Sequence, residues 1–149
     1  MTSAFDVLAC LEDYFFKFLM DDRKDEIEII RYVMNKAREE IEEETELEFR
    51  NWIGRDYYKQ CNKNEDYILF RWFTFIHYNV SHTDKWHLRV LSRIYPLIQM
   101  TYELFNRGQV PIIEFRTLSK IYPEWGKLVE RITEKKRILY MRLKEKKGM

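Results

Sequence analysis

The run Tyr67-Ile68-Leu69-Phe70-Arg71-Trp72-Phe73-Thr74-Phe75-Ile76-His77-Tyr78-Asn79-Val80 decides the fold. Its apolar and aromatic side chains fall on every face that a helix would present, and a surface helix would leave half of those rings in water. A buried strand is the competing reading for part of so aromatic a run. The length of the run and the polar lead-in from Asn62 to Asp66, which supplies N-cap chemistry, favour a helix walled in by other helices. The run is therefore expected to be the central helix of the domain.

The flanking sequence supplies the walls. Phe5, Leu8, Leu11, Phe15, Phe18 and Leu19 recur at three- and four-residue steps, which predicts a helix from about Ala4 to Met20 with Ser3 and Asp6 at capping-box positions. Asp21, Asp22 and Asp25 suit a turn and the positive end of a second helix, whose stripe is Ile27, Ile30, Met34, Ala37 and Ile41. Phe49, Trp52 and Ile53 prolong that pattern to a cap at Gly54, unless repulsion among the seven Glu of residues 39–48 interrupts it near Glu44. Beyond the aromatic run, Ser81 and Asp84 form a second capping box ahead of Trp86, Val90, Leu91, Ile94, Leu97, Ile98, Thr101, Leu104 and Phe105. Pro96 is expected to kink or split this segment after Tyr95, and Gly108 to close it. Pro111 and Pro123 suit the first positions of two more helices, with faces formed by Phe115, Leu118 and Ile121 and by Trp125, Leu128, Ile132, Leu139 and Leu143.

Composition agrees with this pattern. Only four Gly and three Pro occur, too few for the hairpin turns of a many-stranded sheet, while 46% hydrophobic residues supply ample core. The expectation is an all-α fold, a single domain over residues 1–149, built as a bundle of about six helices with a buried aromatic central helix and a basic C-terminal helix. Residues 144–149 have little to bury and are the expected place for disorder. Charged residues sit inside the first apolar pattern, so neither a signal peptide nor a transmembrane segment is expected, and the reading is of a cytoplasmic protein. Cys10 and Cys61 are expected as buried free thiols.

The near-neutral formal charge of +1 conceals a sorting of charge along the chain. Residues 1–48 carry 15 acidic and 6 basic side chains, whereas residues 107–149 carry 12 basic and 5 acidic. The basic tail contains Lys135, Lys136, Arg137, Arg142, Lys144, Lys146 and Lys147, interleaved with Ile138, Leu139, Met141 and Leu143, and reads as amphipathic. Nucleic-acid backbone, an acidic protein or an anionic membrane would each attract it, and pairing with the chain's own Glu-rich stretch is the most economical expectation. A second mixed patch, Arg50, Trp52, Arg55, Tyr57, Tyr58, Lys59 and Lys63, interleaves cations with rings, as both single-strand binders and protein-docking surfaces do.

Arg71 and His77, followed by Tyr78, are the candidate catalytic residues. An Arg and a His with five residues between them, on a helix of a small all-α domain, resemble the active-site motif of the HEPN nucleases. The resemblance rests on these three residues and implies a homodimer that cleaves RNA without a metal. The chain departs from that pattern at Trp72, where the family commonly carries a polar residue, and in the long tail after the motif. The competing expectation is that Arg71 bonds a buried carboxylate and His77 is a satisfied core group. His77, His82 and His87 at five-residue spacing fan around a helix axis, so no metal site is expected, nor any cofactor. The functional expectation is a non-enzymatic interaction or regulatory protein, a homodimer of viral or mobile-element type, that docks on a protein or nucleoprotein complex. A direct DNA- or RNA-binding protein ranks second and the nuclease third.

Overall fold

The computed structural model of the chain describes residues 4–39, 43–53, 68–69, 71–76 and 94–148. Among them no strand occurs, and the elements are α1 (Ala4–Met20), α2 (Lys24–Glu39), α3 (Glu43–Ile53), helical turns within residues 68–76, α4 (Tyr95–Arg107), α5 (Ile112–Ile121) and α6 (Pro123–Gly148). The chain is an all-α bundle whose core gathers residues from every one of these elements.

Local chemistry explains where the helices stop. Arg23 N–H donates to Phe18 O at 2.9 Å and Asp22 N–H to Leu19 O at 3.4 Å, with Asp22 at φ 54°. This is a Schellman closure in which a short polar residue takes the left-handed position usually given to Gly. It turns α1 back on α2, as the Asp21–Asp25 stretch foretold. Gly108 closes α4 at φ 82°, its N–H on Leu104 O at 2.9 Å. Pro96 lies in the first turn of α4, which begins at Tyr95; the preceding segment, where a kink or split would show, lies outside the described residues. Pro123 opens α6 as expected, but Pro111 occupies the N-cap of α5 with extended ψ 138°, one position before the helix. The stripe running from Ile27 to Ala37 is buried in α2, which ends at Glu39, and α3 is a separate helix. The Ser3 to Asp6 and Ser81 to Asp84 capping boxes, Gly54 and Cys61 fall outside the described residues, while Cys10 is half-buried and free.

The aromatic run meets its expectation in the part described. Ile68, Leu69, Trp72, Phe73, Phe75 and Ile76 are all buried, spread over about 160° of a helix, and Arg71 and Thr74 take the remaining stripe. Phe73 packs on Phe15 of α1, and Phe75 on Phe49 of α3, so the segment sits between those helices.

The C-terminal helix runs antiparallel to α2. Asp25, in the first turn of α2, is bonded by Lys135 and by Arg131 at 3.4 Å, while Glu39 at the far end lies by Pro123 and Glu124. The Lys135 hydrogen bond, opposed by burial, holds the Asp25 carboxyl below its ordinary value. A lowered carboxyl favours the folded state at neutral pH, and that contribution disappears as pH falls below about 4. Because Lys135 is two-thirds exposed, its partner's loss costs little: Asp25→Asn is expected to remove a few tenths to about 1 kcal/mol at neutral pH and nothing at about pH 2. Urea melts of both proteins at the two pH values check this; an equal difference at both would refute it.

Candidate partner-binding surface

Two of the sequence-derived sites are placed by the fold, at different ends. The first lies where α3 meets the aromatic segment. The helical period puts Phe49 and Trp52 on one side of α3, where Phe49 meets Trp72 edge-on at 5.0 Å and Trp52 meets Phe75 at 5.7 Å. Arg71 stacks its guanidinium on the Trp52 ring at 4.4 Å, and Arg38 lies over Phe49 at 5.0 Å. Arg71 bonds no carboxylate among the described residues, and its Nε and the Trp72 Nε1 are sealed from solvent without an acceptor among them. Each such donor costs about 1–3 kcal/mol, so ring contact and burial hold this cluster together.

Trp52 is about one-third exposed, and Arg50 is exposed beside it. Arg55, Tyr57, Tyr58, Lys59 and Lys63 lie outside the described residues, as do His77, Tyr78, His82 and His87. The structure therefore brings Arg71 to Trp52 and leaves the Arg71 and His77 pairing undescribed. Arg38 joins the cluster from α2; the sequence spacing carries no signal for that, because the contact depends on how α3 folds back.

The second site is the distal half of α6. Buried Trp125, Leu128, Val129 and Ile132 anchor the helix, and from Glu134 to Lys147 every side chain described is exposed. The backbone stays helical to Gly148, so roughly 20 Å of helix carries no buried side chain among those described. Leu139 and Leu143 continue the buried stripe of Leu128 and Ile132 but are 59% and 52% exposed. Ile138 and Met141 occupy another side of the helix, in a sector of about 140° that holds no Lys or Arg of the tail, whereas Leu139 and Leu143 lie among the cations. The four apolar residues at positions 138, 139, 141 and 143 span about 200° of the helix at 3.6 residues per turn, wider than a single stripe.

Of the Glu-rich stretch only Glu39 and Glu48 have described side chains, and neither pairs with the tail; the expected pairing with Glu40 to Glu46 lies outside the described residues. Lys135 and Arg131 pair with Asp25, and Arg137 with Glu134 at 3.6 Å, but Lys136, Arg142, Lys144, Lys146 and Lys147 make no ion pair among the described residues. The antiparallel packing explains this. Glu39 stands about 20 Å along α2 from the Asp25 contact, and the tail extends away from it in the other direction.

Comparisons with protein-family models, curated proteins and solved structures return no match. Function must therefore be argued from the surface itself. Among the described residues no group of three His, Cys, Asp or Glu could hold a metal ion, and no helix is long and apolar enough to cross a membrane. An open groove of about 740 Å³ between α2 and the start of α6 mixes Glu28, Glu39 and Glu124 with Lys36, Lys127 and Arg131, a balance of charge that selects no ion.

Proposed function

We infer that this chain is an interaction protein, a regulatory or structural component that docks on an acidic surface of a protein or nucleoprotein complex through the distal half of α6. The observation that carries the reading is the helix itself: cations that make no ion pair among the described residues alternate with half-exposed Ile138, Leu139, Met141 and Leu143 on a helical segment whose described side chains are all exposed. Cations steer an acidic partner, and apolar side chains supply the contact that salt does not screen. The partly exposed Trp52, with the Arg71 guanidinium stacked on its ring, gives a second basic-aromatic contact. The free Cys10 thiol favours a reducing, cytoplasmic setting.

The test is recovery of a partner from nuclease-treated extract by the intact chain and by a variant carrying Arg142→Glu, Lys146→Glu and Lys147→Glu. A protein retained by the first and lost with the second is expected. The same proteins on both would refute the docking role of α6.

Direct binding to nucleic-acid backbone is the second reading, favoured by exposed cations spread over about 220° of the helix instead of one narrow stripe. It requires retardation of DNA or RNA that weakens steeply with salt, by about one logarithmic unit of affinity per logarithmic unit of salt for each phosphate neutralised. The Arg71 and His77 resemblance is not carried forward, because the Arg71 guanidinium is stacked on Trp52 and no geometry for His77 is described.

A further inference from the structure

We propose that the corner between the distal half of α6 and the α1–α2 turn is a docking groove for an acidic amphipathic helix of a partner protein. The inference rests on the docking role of α6 and names the chemistry of what that helix takes. At about 100° per residue, the buried stripe of Leu128 and Ile132 continues outward as the exposed Leu139 and Leu143. An arc of about 140° around that stripe also holds Lys135, Lys136, Arg142, Lys146 and Lys147. No Asp or Glu of residues 134–147 falls in the arc, since Glu134 and Glu145 lie on the far side of the helix. The side of α6 that packs on the body therefore continues past it as a leucine pair walled by cations.

This face is also one wall of a concave corner. Ile132, Lys135, Lys136 and Leu139 share an open groove of about 290 Å³ with the α1–α2 turn, which contributes Arg23 and Lys24. Glu26 lines it too but is held by Arg23 at 2.7 Å, and Asp22, its other acid, is exposed. Lys135 is taken by Asp25, whereas Lys24 and Lys136 make no ion pair among the described residues. The groove lies at the lower limit of small-molecule sites, about 300 Å³, so it suits a side chain of a longer partner whose remaining length runs along Leu139 and Leu143. Shape and apolar content select among acidic partners. A bilayer is flat and does not reach into a corner, and nucleic-acid backbone would pair with the cations but leave both leucines in water. A helix whose carboxylates flank an apolar stripe satisfies both, because the stripe covers the leucines and the acids meet the cations on either side. Roughly 20 Å of exposed α6 matches about 15 residues of such a helix.

Fluorescence anisotropy on the full chain, freed of nucleic acid by nuclease, tests this with a labelled synthetic peptide of about 15 residues carrying Leu along one helical stripe and Glu on its flanks. A scrambled peptide of the same composition, a labelled DNA duplex and vesicles of phosphatidylserine are the comparisons. At about 0.15 M salt the patterned peptide is expected to bind about tenfold or more tightly than the scrambled one. Leu139→Ser with Leu143→Ser should abolish that preference and, because both side chains are exposed in the free chain, leave the thermal melt unchanged. Arg142→Glu with Lys146→Glu should weaken the peptide about tenfold, while Arg137→Glu with Lys144→Glu, an equal charge change on the opposite side of α6, should weaken it less than about threefold. Equal affinity for the two peptides, or equal loss from the two charge variants, would overturn the assignment of this face and leave α6 as a general acidic-docking element. DNA or vesicles bound while the patterned peptide is ignored would overturn it in favour of those occupants, and binding of none of the four probes would overturn it outright. Recovery of proteins from extract through α6 is a separate readout, so failure of the docking role itself is told apart from failure of this inference.

Discussion

Replacing Trp125 with alanine is expected to remove about 3–5 kcal/mol of stability, a large share of the roughly 5–15 kcal/mol that holds a domain of this size. The indole is completely buried at the start of α6 and packs on Phe115 of α5 at 6.1 Å between ring centres. Its Nε1 donates to Thr101 Oγ1 at 2.9 Å, and that hydroxyl donates in turn to Leu97 O at 2.7 Å. One side chain thus joins α6 to α5 by packing and to α4 by a buried hydrogen bond. Thr101→Val keeps the shape and removes the acceptor, stranding the indole N–H, and should cost about 1–3 kcal/mol. Urea unfolding followed by helical circular dichroism orders the two. A Trp125→Ala protein within about 1 kcal/mol of wild type would mean that the indole is not the pin of this junction.

Adding a single methyl group at Gly126 is expected to destabilise the protein by about 1–3 kcal/mol, although alanine is the better helix former by about 1 kcal/mol. Gly126 lies in the first turn of α6, buried against α5. A Cβ there would stand 2.6 Å from Ser119 Oγ and 2.9 Å from Ser119 Cβ. The hydroxyl can rotate away, but the Ser119 Cβ is fixed to the α5 backbone, so the helices must separate, loosening Leu118 and the Phe115 and Trp125 contact. Overpacking therefore outweighs propensity. Combining Gly126→Ala with Ser119→Gly leaves only Ser119 Cα at 3.5 Å, an ordinary contact, and should recover most of the loss beyond the cost of the new glycine. Ser119→Ala alone should be neutral or slightly stabilising, since its hydroxyl is buried without a partner. Should Gly126→Ala melt at or above the wild-type temperature, the close approach of α5 and α6 is wrong.

These two junctions mark where sequence reading stopped. Trp125, Leu128 and Ile132 were legible as a buried face because an apolar stripe at helical spacing must be covered by something. That Thr101, across the bundle, would accept the indole N–H was not legible, since nothing in a hydroxyl's sequence context names its donor. Gly126 carried no signal either: a glycine near a helix start reads as tolerated, and only the nearness of α5 makes its missing side chain necessary. At the candidate surface, Trp52 and the tail cations were identified from composition, whereas the stacking of Arg71 on Trp52 and the recruitment of Arg38 depend on the path of α3.

The amino-acid order by itself determined that the chain is helical, that the aromatic run is buried, and that helices end near Met20 and Arg107 and begin near Pro96 and Pro123. Those outcomes depend on forces that act within a few residues: apolar periodicity, the fixed φ of proline, and the ease with which Asp22 and Gly108 adopt left-handed backbone. Only the tertiary structure decided which charges meet. By laying α2 and α6 antiparallel, it gave Asp25 to Lys135 and Arg131 and set Glu39 beside the start of α6, away from the basic tail, because Coulomb attraction between exposed groups is too weak in water to overrule the packing of two buried apolar stripes.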